Sequence, residues 1–136
     1  MANPEITNND ISSLVLRDGE FRDITLNAPG AVIYPKGQVL AFDAAADKWK
    51  KTISGTPAVA NAKGVLSEEV EFTGAGDKTN VRMIKGGTLD QNLLVFDGSD
   101  TVDTIPSGAD DSFQLQLRAY NIVLENPAEQ RIQDNQ

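Results

Sequence analysis

Turn-forming residues interrupt this sequence so often that no strictly apolar run exceeds four residues, as at Ala31–Tyr34 and Leu93–Phe96. Eleven Gly and six Pro are spread through 136 residues. Such punctuation leaves room for strands of roughly 4–8 residues but little for helices of 10–12 or more. The apolar residues between the breaks alternate with polar ones, as half-buried strands require. Ile24 and Leu26 alternate with Asp23 and Thr25, and Asn27-Ala28-Pro29-Gly30 is a turn. Ala31–Tyr34 reads as a strand closed by Pro35-Lys36-Gly37. Gln38–Asp43 and Lys48–Thr52 read as a hairpin around Ala44–Asp47.

Beyond a connection over 53–63, Gly64–Phe72 is predicted as one strand and Gly74–Lys78 as a loop. Thr79–Lys85 is predicted as a strand that Gly86-Gly87 ends, while Leu89–Phe96 fits neither helix nor strand period. The last third differs. Ser107-Gly108-Ala109-Asp110-Asp111 has the layout of a helix start, with a Ser cap and acids in the first turn. A short helix over 109–118 follows, although Phe113, Leu115, Leu117 and Ala119 also alternate as a strand would. Tyr120-Asn121 is the turn out and Ile122–Leu124 a final strand. The fold class is therefore mostly β: a small domain of short strands with one short late helix.

The ends of the chain have a different character. Residues 1–20 form an arm, polar and Asn-rich to Asp10, then apolar over Ile11–Leu16. From the residues alone, that patch is either a first strand of the domain or a segment that docks on a partner. The domain proper spans 21–125, and 126–136 is a polar tail opened by Pro127. A chain of 14.6 kDa supports one such domain.

Composition narrows the chemistry. With no Cys and no His, the sequence has no thiolate or imidazole ligand, no Ser-His-Asp triad and no cysteine nucleophile. Gly74-Ala75-Gly76-Asp77-Lys78-Thr79 lacks the Gly that a phosphate loop needs directly before its Lys; Asp77 stands there instead. Asp97, Ser99, Asp100 and Asp103 offer oxygens, but their spacing matches no EF-hand. The five acids of segment 97–111 read as a solvated loop. Glu68 and Glu69 are neighbours on a predicted strand, so they point to opposite faces and cannot flank one scissile bond. No catalytic residue, cofactor or metal ligand is assigned, and no enzyme activity or small-molecule substrate is expected.

A net charge of −8 repels phosphates and anionic membranes. The basic run Lys48-Trp49-Lys50-Lys51 reads as a solvated strand end with a packed Trp, not as a nucleic-acid patch. Nothing approaches the roughly 20 apolar residues of a membrane helix. Met1–Glu5 lacks the basic start of a secretory signal, so synthesis in the cytoplasm as a soluble chain is expected.

An ordered series of features resembles the head decoration (capsid-stabilising) proteins of lambda-type tailed bacteriophages. It runs through Gly37-Gln38-Val39-Leu40 and Lys48-Trp49-Lys50, then Gly64-Val65-Leu66, then Val81–Gly87 and Leu89–Leu94. An acid-rich helix start follows, and Leu117–Leu124 closes the series. The resemblance covers about two-thirds of the chain and lies in order and spacing, not in an invariant motif. It implies a compact β-clip domain that assembles as a homotrimer on the exterior of the expanded head. It further implies an N-terminal arm that pairs with the major capsid protein by strand addition. On that likeness the capsid-binding residues are Ile11, Leu14, Val15, Leu16 and Phe21. This arm is not closely similar to the family's, and residues 126–136 extend past the usual last strand. A β-rich phage tail, baseplate or head-fibre component, or an attachment module, is the other reading.

Overall fold

The computed structural model describes residues 13–127. Its frame is a ladder between two long strands, β1 (Val15–Ala28) and β7 (Gly76–Asp90), paired antiparallel from Val15↔Leu89 to Ala28↔Gly76. In the second half of β1 the alternation works as its sequence demands: Ile24, Leu26 and Ala28 are buried, and Thr25 and Asn27 are only half-buried. Three shorter strands, β3 (Val39–Asp43), β4 (Lys48–Lys51) and β5 (Gly64–Leu66), complete a ring. The order is β1-β4-β3-β5-β7, and β7 returns to β1, so the sheet closes on itself as a small barrel. Closure removes the free edges that an open sheet would present. β8 (Ile122–Glu125) runs parallel to the last residues of β7, from Gly87↔Ile122 to Asp90↔Glu125. A separate ribbon pairs β2 (Val32–Tyr34) with β6 (Val70–Phe72).

Two apolar clusters fill this frame. Leu26, Leu40, Leu66 and Met83 meet Tyr34 and Phe72 of the ribbon, whose rings pack edge-on at 5.8 Å. The other cluster joins Leu14, Val39, Val65, Ile84, Leu89 and Ile122 to Phe113 and Leu117 of the late helix, α1 (Phe113–Ala119). Each such side chain, fully buried, stabilises the fold by about 1.5–3 kcal/mol.

The mostly β class and the late helix agree with the sequence, but β7 begins at Gly76, inside the loop predicted over Gly74–Lys78, and four further details differ. First, the boundary at residue 20 falls inside β1. Residues 15–20 are strand, because Val15 and Arg17 pair with Leu89 and Thr88 and Leu14 is needed in the core. Second, Gly86-Gly87 does not end a strand. Gly87 has φ +123°, and a Cβ there would lie 2.9 Å from Asp18 O and 3.0 Å from Arg17 O. The register of β1 shifts between Arg17 and Glu20, so the pair of glycines marks a bulge where two backbones close up.

Third, 64–72 is two strands. Ser67 donates from its N–H and its hydroxyl to Arg82 O, at 3.2 and 2.8 Å. There the chain leaves the barrel for the ribbon. Fourth, α1 starts at Phe113 with Ser112, not Ser107, at the cap. Ahead of it, Ala109 N–H donates to Pro106 O and Phe113 N–H to Thr104 O, which commits 104–112 to a closed loop. A strand would have buried Leu115 with Phe113 and Leu117. Leu115 is exposed, and the buried pair lies one helical turn apart. Asn121, at φ +67°, closes the helix in the left-handed conformation.

Candidate docking surfaces

The residues expected to bind a capsid divide sharply. Ile11, with the rest of 1–12, lies outside the described residues. Leu14 is only 2% exposed and sits in the core with Phe113 and Ile122, so it is not available to a partner while this fold is intact. Val15 and Phe21 are half-buried against the same cluster, and the Arg82 guanidinium lies 4.2 Å from the centre of the Phe21 ring. Leu16 is half-buried on β1. The second half of the predicted arm therefore belongs to the body, because its apolar residues are spent on the protein's own barrel.

Both outlying segments join the body at one corner. Leu14 O accepts from Asp90 N–H at 2.9 Å, and Asp90 pairs with Glu125 on the other side of β7. Arg17 forms an ion pair with Glu125 across this corner. Asn92 donates to the Asn126 side chain at 2.9 Å. Leu14 and Glu125 therefore flank the same end of β7.

The basic run is spoken for. Lys48 pairs with Asp77 at 2.8 Å, Lys50 with Asp43 at 3.0 Å and Lys51 with Asp97 at 2.7 Å. Asp43 also accepts from Ala45 and Ala46 N–H, folding the β3–β4 turn around its carboxylate. The Lys50 hydrogen bond, then the backbone donors, hold the Asp43 carboxyl below its ordinary pKa. Lys48 and then Asn27 do the same for Asp77. Burial raises the Tyr34 phenol, partly offset by Lys51.

Asp97 thus has a basic partner that the sequence did not reveal, and Asp100 accepts from the Ser54 hydroxyl at 2.9 Å. Among the described residues no three acidic side chains are grouped to hold a metal ion. Glu68 and Glu69 border an open depression between β6 and β7, and one Glu68 oxygen accepts from Arg82 N–H at 3.3 Å. No helix among the described residues is long and apolar enough to cross a membrane.

Two concave places remain. One, of about 400 Å³, is mainly apolar and lies beside β2, lined by Pro29, Val32, Tyr34, Ile53 and Val59 with Lys50 and Lys51. The other, of about 300 Å³, combines three aromatics, Phe42, Trp49 and Tyr120, with three cations, Arg22, Lys63 and Lys85. Met83 also lines it. Phe42 and Trp49 pack edge-on at 5.3 Å. Arg22 lies 5.8 Å from the Trp49 ring centre and Lys63 5.9 Å from that of Tyr120, within cation–π range. No acid lines this pocket, although Asp23 and Asp47 border the adjoining depression across Trp49.

Sequence reasoning reached only Trp49 of these six, and read it as packing. The others come from β1, β3, β7 and two connections, so only tertiary pairing brings them together. Neither a family model nor a curated protein sequence matches this chain.

Proposed function

We propose that this chain is a virion structural protein that decorates the outside of a phage head as a homotrimer and cements the expanded shell, without catalysis. The observation that carries the reading is topological. The segments that resemble the decoration family, 37–50, 64–66, 81–87 and 117–124, become β3, β4, β5, β7 and β8 of one continuous sheet, with the late helix packed on it. These strands are neighbours in that sheet, in the order β4-β3-β5-β7-β8. The corner at Asp90 supports the mode of docking, because Leu14 and Glu125, near the two ends of the described residues, flank it together. Strand addition by residues 1–12 would draw affinity from main-chain hydrogen bonds. Three copies on one trimer make the second and third contacts effectively intramolecular.

The test is binding to expanded, undecorated heads of the virus that encodes the chain. Full-length protein is expected to saturate them at hundreds of copies per particle, on the order set by the shell's three-fold positions. Deleting 1–12 is expected to abolish binding and leave the melting temperature of the body unchanged. A few copies per particle, located at a tail or fibre, would replace this reading with that of a tail component.

A further inference from the structure

We infer that the aromatic and basic pocket receives the acidic loop around Ile105 from a second copy of this chain, making the head-to-tail contact that closes the trimer. The inference rests on the trimeric reading and names the surfaces that build it. Its starting point is the separation of charge. At a net charge of −8, copies of this chain repel one another unless opposite patches meet. Arg22, Lys63 and Lys85 form no ion pair among the described residues, and they converge on one pocket with Phe42, Trp49 and Tyr120. Tyr120 is 46% exposed. Trp, Tyr and Arg are the side chains that most often anchor protein contacts, and Trp49, Tyr120 and Arg22 meet here.

The complementary surface is on the same chain. Phe113 N–H donates to Thr104 O at 3.0 Å, and Pro106 is buried, so the loop 104–113 is fixed at its base. On it stands Ile105, 59% exposed and the most exposed large hydrophobic residue described. Asp103, Asp110 and Asp111, in the same stretch of chain, are exposed and form no ion pair among the described residues. An exposed apolar side chain on an acidic loop matches an aromatic pocket lined by cations in sign.

Within one chain the two patches do not meet among the described residues: no residue of 103–111 lines the pocket and no ion pair joins them. The loop precedes the first residue of α1 and Tyr120 follows the last, so seven helical residues, a rise of about 10 Å, stand between the two ends. Distinct patches that are complementary form a heterologous contact, which is the kind that closes into a ring. Nucleic acid would meet the same three cations, but also the surrounding excess of negative charge.

Light scattering on the full chain tests this, over a concentration series at low and high salt. The parent is expected to be a trimer that loosens as salt rises. Lys63→Glu with Lys85→Glu should weaken assembly at least tenfold, and so should Asp110→Lys with Asp111→Lys. Ile105→Asp should do likewise. All these side chains except Lys63 are well exposed, so circular dichroism and melting should match the parent. The chain carrying all four charge reversals should regain the trimer, since it restores the match with its signs exchanged. A parent that stays monomeric at its highest soluble concentration overturns the trimeric reading, and this contact with it. A trimeric parent whose folded pocket and loop variants assemble unchanged overturns the contact alone, as does a folded four-fold variant that stays apart.

Discussion

Gly87 and Thr52 show how much a single position can hide. Gly87 sits in a backbone conformation that L side chains rarely adopt, with two carbonyls of β1 where a Cβ would go. Gly87→Ala is expected to destabilise the fold by about 1–3 kcal/mol, seen as a fall of several degrees in melting temperature. Thr52 is the reverse case. Its hydroxyl is buried with no hydrogen-bond partner among the described residues, although its N–H donates to Val39 O at 3.1 Å. Thr52→Val keeps the shape and removes the stranded oxygen, and should stabilise by about 1 kcal/mol in chemical denaturation. Neither property is legible in the sequence. A Gly-Gly pair signals a break equally well, and a Thr at a strand end signals nothing, because both effects depend on backbone brought from elsewhere.

At the scale of elements, the sequence was most legible where one strand buries one face. The alternation of Ile24 and Leu26, the β3–β4 hairpin and the closing strand at Ile122 all follow from local pattern and turn chemistry. It was least legible where an element serves two neighbours. β7 pairs with β1 on one edge and with β5 and then β8 on the other, and Leu89–Phe96 fits no single period because the strand ends at Asp90 and a 3-10 turn, Gln91–Leu93, follows. The ion pairs of the β3–β4 hairpin give this level its own pH signature. Asp43 and Asp77 have lowered pKa values when folded, so their ionised forms favour the native state. That stability is fully present above the ordinary Asp value, about 3.9, and is lost as pH falls through the lower folded values. Melting temperature measured against pH should therefore decline in that acid window. The decline should be shallower in Asp43→Asn with Asp77→Asn.

For the whole molecule, the structure redraws the line between arm and body. A deletion of 1–20 removes Leu14 from the core and the first pairs of the β1–β7 ladder, so it should unfold or severely destabilise the protein. Deletion of 1–12 leaves every described contact in place. Comparing the two truncations by circular dichroism separates loss of docking from loss of fold. The candidate pocket was invisible for the same reason the barrel was. Arg22, Phe42, Trp49, Lys63, Lys85 and Tyr120 are scattered over most of the domain, and no spacing rule links them.

The long ladder also governs how this protein comes into being. β1 leaves the ribosome complete, yet the strand that must lie against it does not begin until Gly76. Until then β1 can meet only β4, through Leu26 and Trp49, and ring closure waits for β7. Late, long-range pairing of this kind slows folding and favours stray association between nascent chains. The polar residues that stud the first half of β1, from Arg17 to Glu20, stand guard over that interval by keeping the waiting strand soluble.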